Sequence, residues 1–102
     1  MTAVYWTPEA QARLEDIEAY IAKGSPTAAK ETVARLLTRS RQLETTPRSG
    51  RQLPDYPRAD LRELLERPYR LIYRVSEERI EILTVMHYRQ LLPRKASELQ
   101  QT

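Results

Sequence analysis

Apolar positions change period along the chain. From Ala10 to Leu43 they recur every three or four residues; before and after, they fall in short β-prone runs. Ala10, Leu14, Ile17 and Ile21 are spaced by four, three and four, which puts them on one face of a helix. Thr7-Pro8 supplies its start: threonine is a good N-cap, and proline at the first helical position loses only an amide without a helical partner. Lys23-Gly24 supplies its end, with basic charge in the last turn and a glycine able to take the left-handed cap. Ser25-Pro26 repeats the start signal at once. Ala29, Val33, Leu36, Ser40 and Leu43 form a second stripe reaching to about Glu44. So short a break predicts an antiparallel helix hairpin.

The other segments read as strands. Residues 3–6 (AVYW) are a short β-prone run, and Leu61–Glu66, Tyr69–Ser76 and Arg79–His87 follow the helices. The Arg67-Pro68 and Glu77-Glu78 links predict antiparallel neighbours. If Glu77-Glu78 is a two-residue turn, Ser76 faces Arg79, and a regular ladder sorts every later residue. Tyr69, Leu71, Tyr73 and Val75 then share the core face with Ile80, Ile82, Thr84 and Met86. Arg70, Ile72 and Arg74 share the other face with Glu81, Leu83, Val85 and His87. Arg74 lies across from Glu81, and Arg70 and His87 become diagonal neighbours. A one-residue slip would destroy this sorting.

Residues 45–60 (TTPRSGRQLPDYPRAD) hold three of the seven prolines and one of the two glycines. This is a loop, long enough to carry function, or a plain crossover from helices to sheet. The order is β-α-α-β-β-β: an α+β domain with a mostly antiparallel sheet packed against the helix hairpin. It spans residues 1–93 as one domain, and residues 94–102 read as a polar tail.

Composition narrows the picture. At 102 residues with no Phe, the core must be thin, one sheet face against one helical layer filled by Leu, Ile, Val, Tyr and Trp6. A partner that covers apolar surface would add stability. The absence of Cys excludes disulfides and thiolate metal sites, and one His makes a protein-built zinc site a poor fit, so neither metal nor cofactor is expected. The first residues lack a signal-peptide pattern, and no apolar run approaches the roughly 18 residues of a membrane span. The expectation is a soluble, cytoplasmic protein.

Net charge is +3, unevenly spread: residues 1–29 carry −2 and residues 30–102 carry +5, mostly through arginine. Arginine's planar fork suits phosphate or carboxylate, which points to nucleic acid or an acidic protein; a solvated surface is equally compatible. No P-loop, GxGxxG, HExxH or GxSxG motif is present. One cluster could carry chemistry: Arg70, His87, Tyr88 and Arg89. A metal-independent ribonuclease needs a base, an acid and cations for the phosphate. His87 could move a proton near neutral pH, Tyr88 could donate one or stack on a base, and Arg70 and Arg89 could hold phosphate. The alternative is that His87 ends a strand, Tyr88 caps the core rim and the arginines are surface charge.

Element order and motifs together resemble the RelE/ParE toxin superfamily from Val4 to Pro93. The markers are Pro47-Arg-Ser-Gly-Arg51, Leu61-Arg-Glu-Leu64, Tyr69-Arg-Leu-Ile-Tyr73, and Ile80-Glu-Ile-Leu-Thr-Val85 followed by His87-Tyr-Arg89. The resemblance implies the toxin of a type II toxin–antitoxin system, silenced by a flexible antitoxin segment in a hetero-oligomer. Two branches share the fold: ParE-like members poison DNA gyrase, and RelE-like members cut messenger RNA on the ribosome. The proline-rich loop and the ending after Val85 look ParE-like. Arg70 matches a catalytic arginine of the RelE-like nucleases, and His87-Tyr88 is similar to the ending of the YoeB-like ones. The lysines that RelE-like enzymes carry on the preceding strand are replaced here by Leu-Arg-Glu-Leu-Leu-Glu, and Glu63 is the nearest candidate for a YoeB-like glutamate. Gyrase inhibition, without catalysis, is therefore the leading expectation, and a ribosome-dependent endoribonuclease using Arg70, His87, Tyr88 and Arg89 the alternative. The expected target contacts are Arg51, Arg70, His87 and Arg89. A ParD-like antitoxin is expected on Leu14, Ile17, Ile21, Leu36 and Leu37 of the helix hairpin.

Overall fold

The two helical start signals act as read. Thr7 Oγ1 accepts from the Ala10 amide at 3.2 Å, Ser25 Oγ accepts from the Ala28 amide at 3.1 Å, and each is followed by its proline. In a computed structural model describing residues 1–100, the elements are β1 (Ala3–Trp6), α1 (Pro8–Ala22), α2 (Pro26–Arg41), β2 (Arg51–Gln52), β3 (Leu61–Glu66), β4 (Tyr69–Val75) and β5 (Arg79–His87). The second helix tightens into a 3-10 turn at Gln42–Glu44, and another 3-10 turn closes the chain at Ala96–Gln100. Gly24 does not adopt the left-handed conformation; its amide and that of Ser25 both return to the Ile21 carbonyl.

The sheet is mixed, in the order β1-β5-β4-β3-β2, with β1 parallel to β5 and the rest antiparallel. The helices cover one face. Ala10, Leu36, Leu43, Leu64, Leu71, Tyr73, Ile80, Ile82 and Val85 form the core there, with Leu14 and Ile17 packed against it. The other face goes beyond the single sheet-on-helix layer that the sequence predicts. The segment 53–59 folds back over it, and Leu53, Tyr56, Leu61, Ile72, Leu83, Met86 and Leu99 form a second buried cluster. The proline-rich loop is thus a cover for the sheet, and it contributes the short edge strand β2. The tail joins the same cover through Leu99; its last residues, 101 and 102, lie outside the described residues.

The β4–β5 hairpin starts as the turn predicts. Ser76 bonds to the Arg79 carbonyl, and Val75, Arg74 and Tyr73 face Ile80, Glu81 and Ile82. Then the register shifts: Ile72 faces Thr84, Leu71 faces Val85, Arg70 faces Met86 and Tyr69 faces His87. Leu83 is the extra residue of a β-bulge, which changes the face of all that follows it. Val85 joins the helix-side core, and Met86 moves to the second cluster. Thr7 is built into this bulge. Its hydroxyl donates to the Ile82 carbonyl at 2.8 Å while its amide reaches the same oxygen at 3.1 Å.

Candidate functional site

The bulge decides what the candidate residues can do together. Because Arg70 pairs with Met86 and His87 with Tyr69, Arg70 and His87 lie on opposite faces of the sheet. The expectation that they are diagonal neighbours on one face is overturned, since it assumed an uninterrupted ladder.

Arg70 is also no surface residue: only 8% of it is exposed. Its Nη1 pairs with Glu63 Oε1 at 3.4 Å, its Nη2 donates to the Gln90 carbonyl at 2.8 Å, and its Nε has no hydrogen-bond partner among the described residues. Glu63 is buried too, and its second oxygen pairs with Arg51 from β2. Arg51 faces Glu63 across the β2–β3 ladder and remains largely exposed. A buried carboxylate needs such partners, because an unpaired charge in the interior is strongly disfavoured. The Arg51–Glu63–Arg70 chain ends on the Gln90 carbonyl, and Tyr56 donates to the Pro93 carbonyl at 2.7 Å. Arg70 therefore straps the segment after β5 to the sheet, and Tyr56 straps it to the covering loop. Burial raises the Tyr56 phenol above its ordinary value, and the negative charge of Asp55 adds to this.

His87, Tyr88 and Arg89 lie at the end of β5. His87 stacks on Tyr88 with centroids 5.2 Å apart and meets Tyr69 edge-on at 6.0 Å. Its Nδ1 accepts from the Arg89 amide at 3.1 Å, so in the neutral ring Nε2 carries the proton. Arg89 Nε donates to the Tyr88 hydroxyl at 2.9 Å, and Arg67, from the β3–β4 link, approaches the same ring. This surface holds His87, Tyr88 and Arg89 together but lacks Arg70. Sequence reading missed Arg67, because its neighbourhood to Tyr88 comes from the strand pairing and not from spacing along the chain.

The partner candidates on the helices divide as well. Leu36 is core, 1% exposed, and offers nothing to a partner; it belongs to the inward stripe of α2. Leu14 and Ile17 are half-buried against the same core. Ile21 and Leu37 keep partial exposure, and Leu37 lines a groove of about 310 Å³ with Val4, Trp6 and Ser40. A second groove of about 300 Å³ runs between α1 and the end of β5, lined by Ile17, Tyr20, Tyr69 and His87. Tyr20, which the apolar stripe omits, is 74% exposed. Among the described residues no cluster of His, Asp or Glu suits a metal ion, and no helix is long and apolar enough to cross a membrane.

The chain matches the family model described as the ParE toxin of the type II toxin–antitoxin system parDE over residues 4–92. It is 43% identical over 90 residues to "Putative toxin Y4kP" of Sinorhizobium fredii (strain NBRC 101917 / NGR234), covering 88% of this chain and 92% of that protein. Its fold is similar to a solved chain of a chromosomal ParDE toxin–antitoxin system from P. aeruginosa, with a TM-score of 0.68, 26% identity, and coverage of 85% of this chain and 96% of that one. The match over residues 4–92 takes in both helices, the proline-rich loop and every strand but the first residue of β1, and the chain accordingly belongs to the ParE toxin family of type II toxin–antitoxin systems.

Proposed function

We propose that this toxin arrests growth by poisoning DNA gyrase in the cytoplasm, by binding and not by cutting a substrate itself. Family membership supports the target class. The observation that carries the choice against RNA cleavage is the division of Arg70 from His87 by the Leu83 bulge. A ribonuclease needs its proton-transfer groups and its phosphate-holding cation around one bond. Here the buried cation serves Glu63 and a backbone carbonyl on the opposite face. The proposed target surface is made of His87 and Arg89, with Arg51 on the loop side; Arg70 supports it from below.

The proposed neutralising partner is a ParD-like antitoxin whose C-terminal segment lies along the exposed flanks of the helices, in a toxin–antitoxin hetero-oligomer. Leu37 and Ile21, with Tyr20, are the contacts available to it. Binding to the folded toxin alone raises its melting temperature. A C-terminal antitoxin peptide that leaves the melting temperature unchanged overturns this part.

The deciding experiment is induction of the toxin with DNA breakage and messenger RNA followed together. A general acid or base is worth about 10²–10⁴ in rate, whereas one lost binding contact costs under about tenfold in affinity. His87→Gln should therefore keep substantial toxicity, with DNA breaks and intact messages. Purified toxin that cuts ribosome-bound message, and loses this with His87→Gln, overturns the reading.

A further inference from the structure

Two turns distant in sequence are clamped together at one end of the sheet. The Tyr88 amide donates to the Pro68 carbonyl at 2.8 Å, which fixes the β3–β4 link against the segment after β5. As a result the guanidinium carbons of Arg67 and Arg89 each lie 5.4 Å from the centroid of the Tyr88 ring. The two charges are thus no farther apart than twice that distance. Neither has a carboxylate partner among the described residues. Arg70, the next cation along β4, is committed to Glu63 on the opposite face.

Two exposed guanidinium groups around one ring concentrate positive charge on this patch. Such a patch attracts an anion between or beside the two forks. Its surroundings select the anion. Tyr69, His87 and Tyr88 form a connected aromatic group in the same patch, and His87 is exposed. Arginine forks beside partly exposed aromatic rings suit a phosphodiester with its base, more than an acidic peptide, which offers carboxylates but nothing to stack.

We propose that Arg67 and Arg89, held around Tyr88, form a phosphate clamp through which the toxin contacts nucleic acid directly. The proposal rests on the gyrase reading for the source of the phosphate: the DNA that the enzyme holds would lie against this surface while the protein contacts fall elsewhere. Arg67, Tyr69 and Tyr88 thereby join the target surface.

The test uses the full chain and no gyrase. A labelled single-stranded DNA of about 20 nucleotides, and its duplex form, are titrated by fluorescence anisotropy over a range of salt. Arg67→Ala and Arg89→Ala should each weaken binding about threefold to tenfold and reduce the salt slope by about 0.7 for the single strand. Arg67→Lys and Arg89→Lys, which keep the charge, should keep most of that slope. Arg74→Ala is the control, since Arg74 pairs with Glu81 at 2.8 Å, toward the turn that joins β4 and β5. Wild-type protein that fails to bind either DNA, or binding that Arg67→Ala and Arg89→Ala leave untouched, overturns the clamp. So does polyglutamate binding more tightly than DNA, which assigns the surface to an acidic protein. Either result leaves the gyrase reading standing, because gyrase poisoning is scored separately by DNA breakage with each variant.

Discussion

At the scale of single residues, the buried polar groups hold the molecule together around two side chains. Arg70, within the sheet's second face, ties β3 to the segment after β5 through Glu63 and the Gln90 carbonyl. Arg70→Met should cost about 3 kcal/mol in urea unfolding, because it leaves Glu63 buried with only the exposed Arg51 as partner. A loss below about 1 kcal/mol would show that Arg51 alone satisfies the carboxylate. Tyr73, wholly buried, accepts from the Gly50 amide at 2.9 Å. A Cβ at position 50 would sit 2.5 Å from the Tyr73 hydroxyl and 2.6 Å from the Glu63 carbonyl. Glycine is required there by the close approach, not by backbone angles. Tyr73→Phe should cost about 1 kcal/mol and Gly50→Ala about 1–3 kcal/mol, both read from the same unfolding curves.

At the scale of elements, the informative pieces are the bulge and the tail. The run Ile82-Leu83-Thr84-Val85-Met86 is buried throughout, so it has no polar alternate positions to fix a register. Thr7 fixes it from outside the strand, by bonding to the Ile82 carbonyl where the ladder breaks. The tail reads as polar because Leu99 stands alone among Arg94, Lys95, Glu98 and Gln100. Yet Leu99 is buried against Leu83 and Met86 on the second face, and Lys95 and Glu98 close the turn that carries it. Leu99→Ala should cost about 2 kcal/mol, measured by thermal or urea denaturation. An unpacked tail predicts no change.

At the scale of the whole molecule, burial on both faces of one sheet also sets how stability responds to pH. Burial raises the Tyr73 phenol above its ordinary value, partly opposed by its bond to the Gly50 amide, and burial likewise raises Tyr56. A raised acid is stabilising below the unfolded value and loses that contribution as pH climbs. Stability should therefore hold up to about pH 10 and fall beyond it, because the unfolded chain releases phenolic protons that the fold retains. Tyr73→Phe should make that alkaline fall shallower. Glu81 has the opposite sign: its hydrogen bond from Arg74 lowers it, so its contribution is present above about pH 4 and lost on acidification. Arg74 is half-exposed, so this contribution is small.

The sequence by itself determined the elements that depend on local chemistry. Both helices begin at Thr7-Pro8 and Ser25-Pro26, and the first strand and the three later ones fall where the period and turn residues put them, since caps and turns are satisfied by neighbours a few residues away. The order of elements and its markers also revealed the toxin family. Tertiary structure decided what depends on distant pairing. The parallel β1–β5 contact, the cover over the second face and the Leu83 bulge are set by partners from other parts of the chain. A bulge moves each later side chain across the sheet without changing one residue of the sequence. That is why His87 went to the helix side with Tyr69, away from Arg70, while the Tyr88–Pro68 bond brought Arg67 and Arg89 to one ring.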